Sequence, residues 1–228
     1  MQLSLPFFRR LANAEDPNSF ANKLRAERFR QFEKWLAPLP RPLRILDLGG
    51  TNEYWELRGW AGRDDIQIVA VNPEAEEQRY DNIQMLSGEA TNLEEFADRS
   101  FDVVFSNSVI EHLFTFENQR RMASEVQRVG KCFWVQSPNF WFPLEPHFDV
   151  PGWHWMPVNL RVALIKRWKF GTMGPCTDPK RAREVVEEVR LLTKGELQEI
   201  FPGATMVPQR FIGLVKSWNV VGGLPAVT

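Results

Sequence analysis

Apolar residues along this chain fall into two alternating rhythms. Runs in which nearly every position is apolar occupy residues 66–71, 83–86, 101–105 and 131–136, and another opens at Leu43 and ends on the pair Gly49-Gly50. Such short continuous runs fit strands of a parallel sheet buried on both faces. Residues 19–36 have a different spacing: Phe20, Leu24, Phe32, Trp35 and Leu36 recur at helical intervals, with Lys23, Glu27, Arg30 and Lys34 on the other side. Ser19 suits the N-cap, and Pro38, Pro40 and Pro42 end that helix before the first strand. Helical character returns at 117–129 and 194–200. Strands are expected near 205–211 and 214–220, where the short link Ile212-Gly213 requires an antiparallel pair, since parallel neighbours need a longer crossover. The pattern predicts an α/β fold: a doubly wound, seven-stranded sheet with an antiparallel edge strand in a three-layer α/β/α arrangement. One domain is expected over 19–228, after a tail at 1–18.

Polar residues recur where these runs end. The first run carries Asp47 into Gly49 and Gly50, where the absence of Cβ atoms lets the backbone turn and approach a ligand. The second ends at Asn72, the third leads into Gly88, Glu89 and Ala90, and the fourth into Asn107 and Ser108. In an open parallel sheet the strand ends form one rim, so Asp47, Asn72, Glu89 and Asn107 are expected to converge on one crevice, with Asp47 facing the ligand. A dinucleotide-dependent oxidoreductase is the competing reading. Its Gly-x-Gly-x-x-Gly fingerprint is absent, and Glu53 and Glu56 follow the glycines where a pyrophosphate wants bare backbone amides.

The segments Ile45-Leu-Asp-Leu-Gly-Gly-Thr51, Val69-Ala-Val-Asn-Pro73, Ser87-Gly-Glu-Ala90 and Ser100-Phe-Asp-Val-Val-Phe-Ser-Asn-Ser-Val-Ile-Glu-His-Leu113 together resemble the motifs of class I S-adenosylmethionine-dependent methyltransferases of the small single-domain kind. The resemblance covers residues 43–138 well and continues more loosely to 221. It implies a Rossmann-like fold and S-adenosyl-L-methionine as cofactor. It also implies a cofactor site drawn from Asp47, Gly49, Gly50, Thr51, Asn72, Pro73, Gly88, Glu89, Ala90, Asn107 and Ser108. Three positions depart from the pattern. The third glycine of the loop is missing, Asn72 stands where a ribose-binding carboxylate is usual, and Glu89 replaces an aspartate. Members of the family often cover the substrate mouth with a helix like that at 19–36; a helix that merely caps the sheet fits the same pattern.

Residues 140–171, rich in tryptophan and proline, follow the fifth strand and are placed to fold over the crevice as a lid. Asn139, Trp141, His147, Trp153 and His154 are the candidate acceptor contacts, through stacking on a sugar ring or grip on an apolar tail; a packed flap whose tryptophans are core is the alternative. All three histidines follow the fourth or fifth strand. Methyl transfer depends mainly on orientation and exclusion of water, with a base needed for hydroxyl acceptors, a role that suits imidazole. His112 is the first candidate, His147 the second, and Glu111 stands beside them. A divalent ion on Glu111, His112, His147 and Glu145 is the weaker alternative, and no metal site is expected.

The 228 residues, 43% hydrophobic and 25% charged, suit a globular domain, and a formal net charge of -1 gives no electrostatic footprint for nucleic acid. Cys132 and Cys176 are too few for a disulfide framework, which points to a reducing cytoplasm. No run is long enough to span a bilayer, although residues 1–11 mix apolar and basic side chains that could touch a lipid surface, and Arg161, Lys166, Arg167 and Lys169 could meet an anionic substrate or headgroup. The expected partner is a small-molecule or glycan acceptor methylated on oxygen. Oligomeric state is not legible. The reading from another class is a degenerate domain serving as a binding or interaction module, prompted by Asn72 and the altered glycine loop.

Overall fold

In a computed structural model that describes residues 20–223 apart from Pro146, Asp149 and Thr172, the apolar runs become five parallel strands. They are β1 (Leu43–Leu48), β2 (Ile66–Asn72), β3 (Ile83–Ser87), β4 (Phe101–Asn107) and β5 (Gly130–Pro138). An antiparallel hairpin of β8 (Thr205–Phe211) and β9 (Leu214–Gly222) completes a seven-stranded sheet ordered β3-β2-β1-β4-β5-β9-β8. The expected fold is therefore present: β9 pairs antiparallel with both β5 and β8, which makes it the reversed strand beside the β8 edge. Ser19 and the tail at 1–18 lie outside the described residues.

Each face of the sheet is covered, as continuous apolar strands require. On one face α1 (Phe20–Leu36) and α2 (Asn52–Leu57) bury Phe29, Phe32, Leu36 and Trp55 against Ile45, Ile68, Phe105 and Trp134. Lys23, Glu27, Arg30 and Lys34 of α1 are exposed, as the spacing predicts. On the other face α3 (Phe116–Val129) and α6 (Lys194–Ile200) bury Met122, Val126, Leu197 and Ile200 against Leu46, Val69, Val104 and Val135. Helix starts follow from capping: Thr115 accepts the Asn118 N–H, and Thr193 and Glu196 form a reciprocal capping box.

Two crossovers are unusually lean. Residues 73–82, between β2 and β3, contain no helix, and residues 88–100, between β3 and β4, form turns. The second is held from α3, where Arg128 donates to the carbonyls of Leu93 (2.9 Å) and Phe96 (2.8 Å) while Glu125 accepts the Leu93 N–H.

Between β5 and α6 the chain builds a flap with its own core. A two-stranded ribbon of β6 (Leu144–Glu145) and β7 (Val150–Pro151) leads into α4 (Val158–Ile165) and α5 (Pro179–Glu187). Phe148, Trp153, Ile165, Phe170, Ala182, Val185 and Val186 pack together apart from the two sheet clusters. This packed unit extends past residue 171, where the aromatic-rich insertion was expected to end.

Candidate functional site

β1 delivers Asp47 to the rim almost wholly buried, 2% exposed. Its carboxylate turns back beneath the glycine loop and accepts the Trp55 indole N–H at 2.8 Å, because Trp55 lies one turn into α2 directly above it. This corrects the expectation that Asp47 faces a ligand: it supports the loop from below. Burial raises its pKa to about 7, opposed by the Trp55 hydrogen bond. Gly50 sits so close that a Cβ there would lie 2.0 Å from Asp47 Oδ2. Gly49, at φ +83°, donates to the Val71 carbonyl at 2.9 Å, and a Cβ on it would meet Val109 Cγ2 at 2.3 Å. The two glycines are thus required by contact from both sides. Thr51 is the N-cap of α2, its hydroxyl accepting the Tyr54 N–H.

Asn72 ends β2 and donates its amide N–H to the Gly50 carbonyl. A carboxylate could not make that bond, which explains the departure from the acid expected here: the position serves as a donor that ties β2 to the loop. Pro73 accepts the Ser87 hydroxyl at 2.8 Å, and Gly88 donates to the Asn72 carbonyl at 2.9 Å. Glu89 is exposed and Ala90 half-buried at the end of β3. Because Leu48 pairs with Val71 and Asn72 with Ser87 in parallel register, Gly49, Asn72 and Glu89 occupy the same rim.

Within the 73–82 crossover, Glu76 accepts both the backbone and side-chain N–H groups of Asn52, at 3.0 and 2.9 Å. A carboxylate therefore caps the N-terminal turn of α2, where a pyrophosphate would have to bind. The arrangement disfavours a dinucleotide and suits a cationic ligand. Asn107 ends β4 with Oδ1 buried and, among the described residues, without a hydrogen-bond partner. An orphaned acceptor beside bare glycine backbone fits an adenosyl ligand carrying a sulfonium and no phosphate. Ser108, at φ +59°, donates instead to Gln136 Oε1 at 2.6 Å and shapes the turn.

That turn continues into the 3-10 segment Ile110–His112, which is held firmly from below. Gln119 of α3 donates to the carbonyls of Ile110 (2.9 Å) and Arg190 (2.8 Å), and the Arg190 N–H donates to the Glu111 carbonyl at 2.7 Å. Glu111 is buried and His112 half-buried. His147, from the flap, meets His112 edge to face with ring centroids 4.9 Å apart. The two histidines, 35 positions apart in sequence, form one pair at the crevice.

The other candidate acceptor contacts separate. Trp153 is completely buried, stacked on Phe148 with centroids 4.5 Å apart, so it belongs to the flap core and not to an acceptor surface. His154 and the Trp155 indole both approach the Phe140 carbonyl, at 2.7 and 3.0 Å. Asn139 spends its amide N–H on the Val215 carbonyl and its oxygen on the Trp141 N–H. Trp141 and Trp155, 66% and 47% exposed, are the open ring faces. Among the described residues no group of three His, Cys, Asp or Glu could hold a metal, and the side chain of Glu145 lies outside them. Cys132, buried, and Cys176 are free thiols.

A shallow concavity lined by Pro42, Arg44, Gln67 and Gln84 lies toward the opposite, N-terminal ends of β1–β3, away from all of this chemistry. Glu76, Arg28, Gln209 and Lys216 were not singled out by sequence. Arg28 had a readable signal, standing at the four-residue spacing between Leu24 and Phe32 on the stripe that α1 buries.

Comparison with known proteins gives concordant findings. Residues 53–132 match a family model described as a methyltransferase domain. An uncharacterised protein of Mycobacterium tuberculosis is 35% identical over 66 residues, 29% of this chain and 22% of its own length, so the chain spans about a fifth of that curated relative. Among solved structures, the CurJ carbon methyltransferase is similar with a TM-score of 0.51 and 13% identity, covering 86% of this chain and 52% of that one. The N-terminal domain of EvdMO1, solved in the presence of SAH and D-fucose, has a TM-score of 0.50 and 16% identity over 86% of this chain and 81% of its own. No helix among the described residues is long and apolar enough to cross a membrane.

Proposed function

We propose that this chain, whose residues 53–132 match a methyltransferase domain and whose sheet has the corresponding order, is a class I S-adenosylmethionine-dependent methyltransferase that methylates an oxygen of a small-molecule acceptor, a sugar or glycoconjugate foremost. When bound, S-adenosyl-L-methionine supplies an electrophilic methyl group. The chain's own residues do the remainder. The bare backbone of Gly49 and Gly50, the oxygen of Asn72, the carboxylate of Glu89 and the orphaned Oδ1 of Asn107 would hold the donor, with Gly88 and Ala90 flanking the adenine side. Acidic groups around the crevice favour a sulfonium cation over neutral or phosphorylated ligands.

The observation that carries the reading is the His112–His147 pair. His112 rides on a turn fixed by Gln119 and Arg190, and His147 arrives from the flap, so the pair is complete only when flap and sheet are docked. His112 would receive the proton of an acceptor hydroxyl, with His147 orienting it. The flap excludes water and offers Trp141 and Trp155 as stacking faces for a sugar ring.

Calorimetry with S-adenosyl-L-methionine and its demethylated product is the first test, and failure of both to bind at millimolar concentration ends the proposal. A labelled-methyl screen across sugars, phenols, lipids and amines then identifies the acceptor. His112→Gln is expected to lower kcat about 10²- to 10⁴-fold with donor affinity unchanged. Glu76 on the α2 N-terminus and Asn72 on Gly50 also support a second reading, a domain that binds without catalysis; donor binding with no transfer to any acceptor would select it.

A further inference from the structure

Four cations gather where α1, α2 and the β8–β9 hairpin meet, and none forms an ion pair among the described residues. Arg28 of α1, only 8% exposed, donates to Gln209 Oε1 at 3.3 Å, and the same oxygen accepts the Ser217 hydroxyl at 3.0 Å. Gln209 Nε2 in turn donates to the Leu24 carbonyl at 2.8 Å, which bolts α1 to the hairpin. Arg25, one turn earlier, makes a long bond to Asn22 Oδ1 at 3.5 Å. Arg58 lies 5.3 Å from the Tyr54 ring centroid, with its Nε buried and, among the described residues, without a hydrogen-bond partner. Several guanidinium groups elsewhere in this chain pair with acids, as Arg63 does with Asp65 and Arg183 with Glu187.

Lys216 joins this group through an irregularity in the hairpin. Gln209 pairs with Ser217 but Arg210 pairs with Val215, so Lys216 is the extra residue of a β-bulge, a device that re-aims a side chain. Lys216 feels the charges of Arg28 and Arg25, and Arg28 those of Arg25, Glu111 and Arg58. Burial first, then those two arginines, depress the Lys216 ammonium to about 8. The strain is one that a bound anion would relieve.

The position separates acceptor from donor. The donor residues belong to β1, β2, β3 and the end of β4, whereas Lys216 sits on β9, two strands beyond β4, or about 10 Å at the usual strand spacing. Glu111, whose field reaches Arg28, links the cluster to the histidine turn.

Resting on the methyltransferase reading above, we propose that the acceptor bears a carboxylate or phosphate group and that Arg25, Arg28 and Lys216 hold it, steering the neighbouring hydroxyl to His112. The basic residues Arg161, Lys166, Arg167 and Lys169 of the flap are a separate surface. Within this cluster Arg28 is the buried anchor, and Arg25 and Lys216, both half-exposed, are the groups an entering anion meets.

The test uses full-length protein labelled with ¹³C-lysine, the Lys216 signal being assigned by its loss in Lys216→Met. Its titration is followed alone, with inorganic phosphate, with acetate, and with the demethylated donor product, at matched ionic strength. Phosphate or acetate is expected to move the Lys216 midpoint upward toward that of an ordinary lysine, also when the donor product is already bound. No movement with either anion overturns the proposal. Movement with the donor product alone, which then blocks the anions, also overturns it and assigns the cluster to the donor's own carboxylate. If the donor product does not bind at all, the methyltransferase reading fails separately, while the anion response is still read. In paired labelled-methyl assays with acidic acceptors and their neutral esters, Lys216→Met and Arg25→Gln should each raise KM for the acid about 10- to 100-fold, the scale of a lost charged hydrogen bond, and leave the ester unchanged. Equal losses on both acceptors would sink the assignment.

Discussion

The two halves of the crevice are built on opposite principles. On the β1–β3 side several polar side chains are spent internally: Asp47 on Trp55, Asn72 on Gly50, Glu76 on Asn52, Ser87 on Pro73. On the β5–β9 side, Arg25, Arg28, Arg58 and Lys216 stand together without an acid within ion-pairing distance among the described residues. A rim satisfied from within presents a fixed shape. A corner of four cations, with the field of one buried acid, Glu111, reaching it, presents a charge. Under the proposed function, the first would fit one invariant ligand and the second would select among acceptors.

Four perturbations break or sharpen that contrast. The largest effect is expected from Trp153→Ala, which removes a fully buried ring and should cost about 3–5 kcal/mol, localised to the flap. Hydrogen exchange should rise around Phe148, Ile165 and Val186 while β1–β4 stay protected, and uniform loss of protection would show that the flap core is not autonomous. Gly50→Ala drives a methyl group into the Asp47 carboxylate and should cost about 1–3 kcal/mol together with most of the donor affinity, measured by thermal unfolding and calorimetry. Asn72→Asp sets a carboxylate against the Gly50 carbonyl; a loss of about 1–3 kcal/mol is expected, whereas an increase in donor affinity would restore the ribose role to this position.

The fourth perturbation is read as a pH slope. Asp47 holds its proton up to about 7 in the folded chain but only to the ordinary carboxylate range when unfolded. The folded state therefore binds the proton more tightly, and stability must fall as pH rises from about 4 to about 7, then level off. Thermal unfolding of Asp47→Asn across that range should lack this component. Identical slopes in parent and variant would place the ionised carboxylate in the fold already at low pH.

Much of this was legible because it depends on local pattern. Continuous apolar runs fixed β1 to β5, and the Ile212-Gly213 link fixed the hairpin. Strand-end chemistry gathered Asn72, Glu89 and Asn107 on one rim, since parallel register makes that a consequence of topology. What sequence could not supply was direction. Asp47 reads as a ligand-facing acid, yet Trp55 turns it inward; Trp153 and Trp155 are two residues apart, yet one is core and the other half-exposed. His112 and His147 meet only because the flap folds back. Lys216 reads as a strand residue, and only the skipped pairing opposite Gln209 reveals the bulge.

The lean crossovers carry a consequence of their own. With no helix between β2 and β3, or between β3 and β4, part of the sheet near its β3 margin meets solvent, at Arg44, Gln67 and Gln84. There the Arg44 guanidinium lies 4.5 Å from the Phe101 ring centroid, shielding an aromatic face with charge where a helix would shield it with bulk. A five-residue border strand and a hydrophilic skin discourage neighbouring molecules from extending the sheet. Replacing those three side chains with valine would turn the same margin into an adhesive edge.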